Sequence, residues 1–116
     1  MALPTVYRES KGLSVLEAMA NGVPVIVPDH GAFPELIADT QGGLLCRPED
    51  AASLACRLRE LILDESLRLQ LGRQAQAAIH HRYRAEVMAD RTREMYYTVR
   101  SGRAAAGLRP MTKNKV

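Results

Sequence analysis

The chain has 116 residues, 47% of them hydrophobic and 25% charged, with no Trp and a single Phe. That is enough for one small domain with its own core and too little for a multi-domain enzyme. The formal charge of +3 belongs to the end of the chain: five basic and no acidic residues follow from Arg100 onward, leaving 11 basic against 13 acidic over residues 1–99, a net of −2. A basic tail without interleaved aromatics or a groove-reading motif does not point to nucleic acid, and no nucleic-acid partner is expected. Cys46 and Cys56 stand ten apart without a CxxC or a neighbouring His pair, so they read as free thiols rather than metal ligands or a redox pair. No run of about 18 apolar residues and no charged-then-apolar leader occurs. A cytoplasmic protein is expected, with peripheral attachment at the inner membrane face left open for a larger enzyme.

In chain order, "ALPTVY" (residues 2–7) is a short apolar and β-branched run and is expected to be a strand. "RESKG" breaks it. From Leu13 to Asn21 the apolar residues Leu13, Leu16, Met19 and Ala20 recur at helical spacing. Gly22 then suits the left-handed residue past a helix end, and Pro24 cannot continue the helix. "VPVIVP" is apolar at successive positions, the pattern of a parallel strand covered on both faces. After "PDHGAF" a short helix with Pro34 in its first turn is expected, then a third strand at "GLLC". The order is an α/β signature, a partial Rossmann-like parallel sheet followed by C-terminal helices.

Beyond Pro48, three helices are expected. In the first, Leu54, Ala55, Leu58, Leu61 and Ile62 form one stripe. Met88 and Met95, seven apart, read as packing residues in the last helix, and His80 and His81 as surface residues. Residues 101–116, rich in Gly, Ala and basic side chains, read as a disordered tail behind a domain of residues 1–100.

Ligands of open parallel sheets bind outside the carboxyl ends of the strands, where "RESKGL" and "PDHGAF" both fall. A helix start offers free backbone N–H groups and the positive end of a dipole, and Gly12 lets the backbone approach an anion closely. Lys11 and Arg8 add charge. Glu9 precedes this helix and Glu17 lies one turn into it. A carboxylate can accept hydrogen bonds from two vicinal hydroxyls of a ribose or sugar ring. From the residues alone, a sugar–diphosphate–nucleoside clamp and a pair of solvated charges, one favoured by the dipole, both fit.

"ESKGLSVLEAMANGVPVIVPDHGAFPELI" resembles the retaining glycosyltransferases of the GT-B fold known as glycosyltransferase family 4, or group 1. Their shared pattern is a Glu, seven residues, a second Glu within "LEAMA.G.PV", a Gly-rich loop and "PE.I"; Glu9 and Glu17 fall on the two glutamates. The similarity runs over about residues 4 to 95, with "GGLLCRPED" matching the next turn and strand. It implies that Glu9 lies by the donor sugar as the candidate catalytic residue, that Glu17 holds the ribose, and that the backbone of Lys11, Gly12, Leu13 and Ser14 contacts the diphosphate. His30, Gly31 and Glu35 are further candidates in the matched loop. The family often has Glu-Gly-Phe-Gly where this chain has Glu9-Ser10-Lys11-Gly12. The resemblance further implies a UDP- or GDP-linked sugar as donor, no metal or other cofactor, and a sugar, lipid or small-molecule acceptor.

The family's acceptor domain and its diphosphate-clamping Arg and Lys have no counterpart in the sequence. The chain is therefore expected to be the second half of a donor-binding domain, inactive alone. The alternative is a non-catalytic nucleotide-binding or interaction module.

Overall fold

A computed structural model describes residues 1–101 and contains seven elements: α1 (Leu13–Ala20), β1 (Val25–Pro28), α2 (Phe33–Thr40), β2 (Gly43–Cys46), α3 (Ala51–Leu63), α4 (Glu65–Arg82) and α5 (Ala85–Arg100). The chain divides into two units, one of residues 1–83 and a second that begins at Arg84. The first carries β1 and β2 as a parallel pair in the register Val25↔Gly43 to Pro28↔Cys46. The architecture is α/β, a short parallel sheet flanked by helices and followed by C-terminal helices.

All four residues of β1 are buried, as a continuous apolar run requires when both faces are covered. Alternation sends Val25 and Val27 into a cluster with Val15, Leu16 and Met19 of α1, Phe33 and Leu36 of α2, and Ala75 and Ile79 of α4. Ile26 points the other way, into a cluster with Cys46, Leu61 and Leu71. α1 ends in a Schellman arrangement: the Val23 amide donates to Ala18 O (3.1 Å), the Gly22 amide to Met19 O (3.0 Å), and Gly22 sits at φ 72°. α3 and α4 open on Asp50 and Asp64, whose carboxylates accept from the Ser53 and Leu67 amides, both at 2.9 Å.

Three expectations need correction. The strand expected at residues 2–7 shrinks to a bridge between Ala2 and Ile26, joined by the Leu3 amide to Ile26 O (3.0 Å) and the Ile26 amide to Met1 O (2.9 Å). Pro28, which holds the position that would next donate to Leu3 O, has no N–H, and the Thr5 amide turns back to Leu3 O at 2.9 Å instead. The expected stripe of α3 is only half used. Leu61 is buried and Leu54 half-buried against Ile26's face of the sheet, whereas Ala55, Leu58 and Ile62 are exposed. A two-stranded sheet is too narrow to cover a wider helical face. Met88 and Met95 are exposed too, and α5 has no buried residue. His80 and His81 are exposed. The expected tail lies, from residue 102, outside the described residues.

Candidate functional site

The residues of interest meet at the carboxyl end of β1, where two loops pack on one another. The first runs from Thr5 to Gly12 into α1, and the second from Asp29 to Ala32 into α2. Gly12 is the N-cap of α1 at φ 73°, ψ 51°, a left-handed conformation that turns the chain sharply into the helix, and no side chain caps it. The first-turn N–H groups of Leu13, Ser14 and Val15 precede the first intrahelical bond, donated by the Leu16 amide to Gly12 O at 3.0 Å. α1 buries Val15, Leu16 and Met19 and leaves Leu13, Ser14 and Glu17 on the opposite, exposed face. The backbone of Glu17 therefore stands about 6 Å up the axis from that of Leu13, with its side chain leaving the helix tilted back toward the end where those amides open.

Glu9 is half-buried and folds back over its own turn. Its Oε1 accepts from the Ser10 amide at 3.2 Å and, more weakly, from the Lys11 amide at 3.4 Å. Oε2 has no partner among the described residues and keeps its full accepting capacity. Arg8 and Lys11 are exposed, and neither joins an ion pair among the described residues. An uncapped helix start thus stands beside two exposed basic residues, Arg8 and Lys11, an arrangement suited to an anion.

The second loop holds the first in place. The Ala32 amide donates to Glu9 O at 2.8 Å. Gly31, at φ 61°, lies so near that a Cβ there would sit 2.6 Å from Glu9 O and 2.8 Å from Glu9 N. Phe33 is fully buried beneath Gly12, where a Cβ would come within 2.9 Å of its Cε1. His30 is half-buried; its Nε2 is 3.0 Å from Thr5 O, and its Nδ1 is buried with no partner. Glu35 is exposed in the first turn of α2, where its charge complements the helix dipole.

Of the candidate residues, Lys11, Leu13 and Ser14 are exposed around the buried Gly12, with the half-buried Glu9 before them and the exposed Glu17 on the helical flank. Gly31 is itself exposed and packs on the Glu9 backbone, and both ring nitrogens of His30 face protein. Thr5, Ala32 and Phe33 were not singled out from the sequence. Phe33 is the only Phe in the chain and follows a glycine at the same sheet edge; that was the available signal.

A sequence profile described as "Glycosyl transferases group 1" matches residues 1–78. The chain belongs to that family. Among similar proteins, the N-acetyl-alpha-D-glucosaminyl L-malate synthase of Bacillus anthracis is 36% identical over 92 residues, which are 79% of this chain and 24% of that one. This group 1 glycosyltransferase chain also superposes on sucrose-phosphate synthase from Thermosynechococcus elongatus with a TM-score of 0.75 and 28% identity, covering 87% of this chain and 25% of that one. A third likeness is to the C-terminal domain of a glycosyl transferase group 1 family protein (LpcC) from Francisella tularensis. There the TM-score is 0.64 and the identity 32%, over 72% of this chain and 43% of that one. The group 1 glycosyltransferase chain thus spans about a quarter of the length of the N-acetyl-alpha-D-glucosaminyl L-malate synthase it matches. Its α/β unit is a glycosyltransferase domain of GT-B type.

Proposed function

We propose that this group 1 glycosyltransferase chain is the donor-binding portion of an enzyme that transfers a hexosyl group from a UDP- or GDP-sugar with retention. The observation that carries the reading is the left-handed Gly12 at the uncapped start of α1, with Glu9 before it and Glu17 one turn beyond. In this reading the diphosphate lies on the amides of Gly12, Leu13 and Ser14. The Lys11 side chain and the helix dipole balance its charge.

Glu17 accepts hydrogen bonds from the two ribose hydroxyls, and Oε2 of Glu9 accepts from hydroxyls of the donor sugar. Breaking the anomeric bond leaves an extra negative charge on the diphosphate. The prearranged N–H groups and Lys11 stabilise that charge as it develops, and the reading needs no metal to do so. The acceptor, a sugar, lipid or small molecule, is bound by parts of the enzyme outside this chain. The chain alone therefore binds donor and does not turn it over.

Calorimetric titration of the 116-residue chain with UDP and with GDP tests the proposal. One of the two is expected to bind, and Glu17→Ala to weaken that binding by about tenfold or more, the loss of a charge-assisted pair of hydrogen bonds. Binding of neither nucleotide, or equal binding by the variant, would overturn it. So would transfer of labelled sugar by the chain alone, for the statement that it does not turn over.

A further inference from the structure

We infer that the four residues His30–Phe33 are a template that sets the shape of the Thr5–Gly12 loop, and that His30 is a positioning residue acting as its Nε2–H tautomer. The four meet that loop at three points, Thr5, Glu9 and Gly12. His30 reaches Thr5 O at 3.0 Å, Gly31 lies against the Glu9 backbone, Ala32 donates to Glu9 O at 2.8 Å, and Phe33 underlies Gly12. Together they span the loop from its departure off the sheet to its entry into α1.

The tautomer follows from the partner. A carbonyl oxygen only accepts, so a proton must be on Nε2; Nδ1, buried with no partner to accept a proton from it among the described residues, is assigned the lone pair. That lone pair is buried without a donor among the described residues. A buried acceptor left unmatched carries a desolvation cost, and the Nε2 contact retains the ring in spite of it. The ring also leans on Phe33, with centroids 6.3 Å apart and planes inclined at 35°, so the residue under Gly12 and the residue tied to Thr5 brace each other. The two loops therefore move as one body. The amides of Ser10–Ser14 are aimed before any ligand arrives, which lowers the ordering cost of binding.

The consequence for nucleotide binding rests on the proposed donor site, whereas the template itself is tested without nucleotide. The experiment uses nitrogen-15-labelled full chain in three forms: unmodified, His30→Gln and His30→Leu. Gln offers an amide N–H close to the place of Nε2, and Leu offers none. In the unmodified chain the imidazole spectrum should show a protonated Nε2 and a bare Nδ1, with slow exchange of the Ala32 amide. His30→Leu should speed Ala32 exchange about tenfold and move the Ser10–Gly12 amide resonances, and His30→Gln should restore both.

Should His30→Leu fail to fold, the imidazole spectrum of the unmodified chain and the His30→Gln exchange rates still decide. A protonated Nδ1 overturns the inference. So does a Gln variant as perturbed as the Leu variant, or a Leu variant with unchanged amides. UDP and GDP titrations of the same samples separate the two claims. If neither nucleotide binds while the tautomer and the rescue are as expected, the template stands and the donor reading fails.

Discussion

Replacing Gly12 by Ala perturbs the candidate site with a single carbon. Two costs follow from its position. A non-glycine residue at φ 73° gives up about 1–2 kcal/mol of backbone preference. The added Cβ would also stand 2.9 Å from Cε1 of Phe33, a ring with no exposed surface. Overpacking of this kind costs about 1–3 kcal/mol, so the total is about 2–5 kcal/mol. That is a large share of the roughly 5–15 kcal/mol by which domains of this size are stable.

Urea unfolding of the full chain measures it. With a slope of about 2 kcal/mol per molar, the midpoint should fall by about 1–2.5 M. Phe33→Leu makes room for the Cβ without relaxing φ. In the double variant the steric share should disappear and the backbone share persist, a coupling of about 1–3 kcal/mol. A midpoint shift of Gly12→Ala below about 0.5 M, or strict additivity of the two substitutions, would refute the packing account of this turn.

Three further outcomes are expected. Gly72→Ala replaces a helix-interior glycine, which by propensity alone gains about 1 kcal/mol. Yet its Cβ would collide with the Gly22 carbonyl oxygen under the Schellman turn, so the urea midpoint should fall, and a rise would contradict the close contact of α4 with the end of α1. The Tyr83 hydroxyl donates to Asp39 Oδ2 at 2.7 Å, and burial together with that carboxylate pushes its pKa up to about 12 from 10.0. A raised folded-state value means that the folded protein holds the proton more tightly. The contribution to stability is whole below pH 10 and disappears as pH climbs to about 12; Tyr83→Phe should lack that alkaline loss, and an identical alkaline profile would count against the contact. Cys56 is exposed, whereas Cys46 is buried and burial raises its thiol pKa. A thiol reagent should modify one cysteine quickly and one slowly, and Cys56→Ser should remove the fast phase; loss of the slow phase instead would reverse the assignment.

Much of the fold could be read locally, because helical periodicity and end signals are local. Leu13–Ala20 with Gly22 and Pro24 behind it, and Phe33–Thr40 with Pro34 in its first turn, are cases where short-range chemistry sets the element. The run 2–7 shows the limit. Its β-branched composition suits a strand, but Pro28 has no N–H to carry the ladder past Leu3, and too little sheet is present to recruit the rest. Ala55, Leu58, Ile62, Met88 and Met95 have the spacing of packed residues and are exposed. Periodicity states which face is apolar, and whether anything covers that face is a tertiary matter. The glutamates and the Gly12 turn were likewise legible from spacing and motif. What lies beneath them was not: Thr5 and His30, or Gly12 and Phe33, meet only when two loops fold onto one sheet edge, and no local pattern encodes that meeting.

The most direct test of the donor site follows amide resonances of the labelled full chain during titration with UDP and with GDP. One nucleotide should shift the Lys11, Gly12, Leu13 and Ser14 amides at low concentration, leave α3 unmoved, and lose most of that effect in Glu17→Ala. Shifts scattered over the surface, or none at the start of α1, would contradict the assignment of this turn as the diphosphate site.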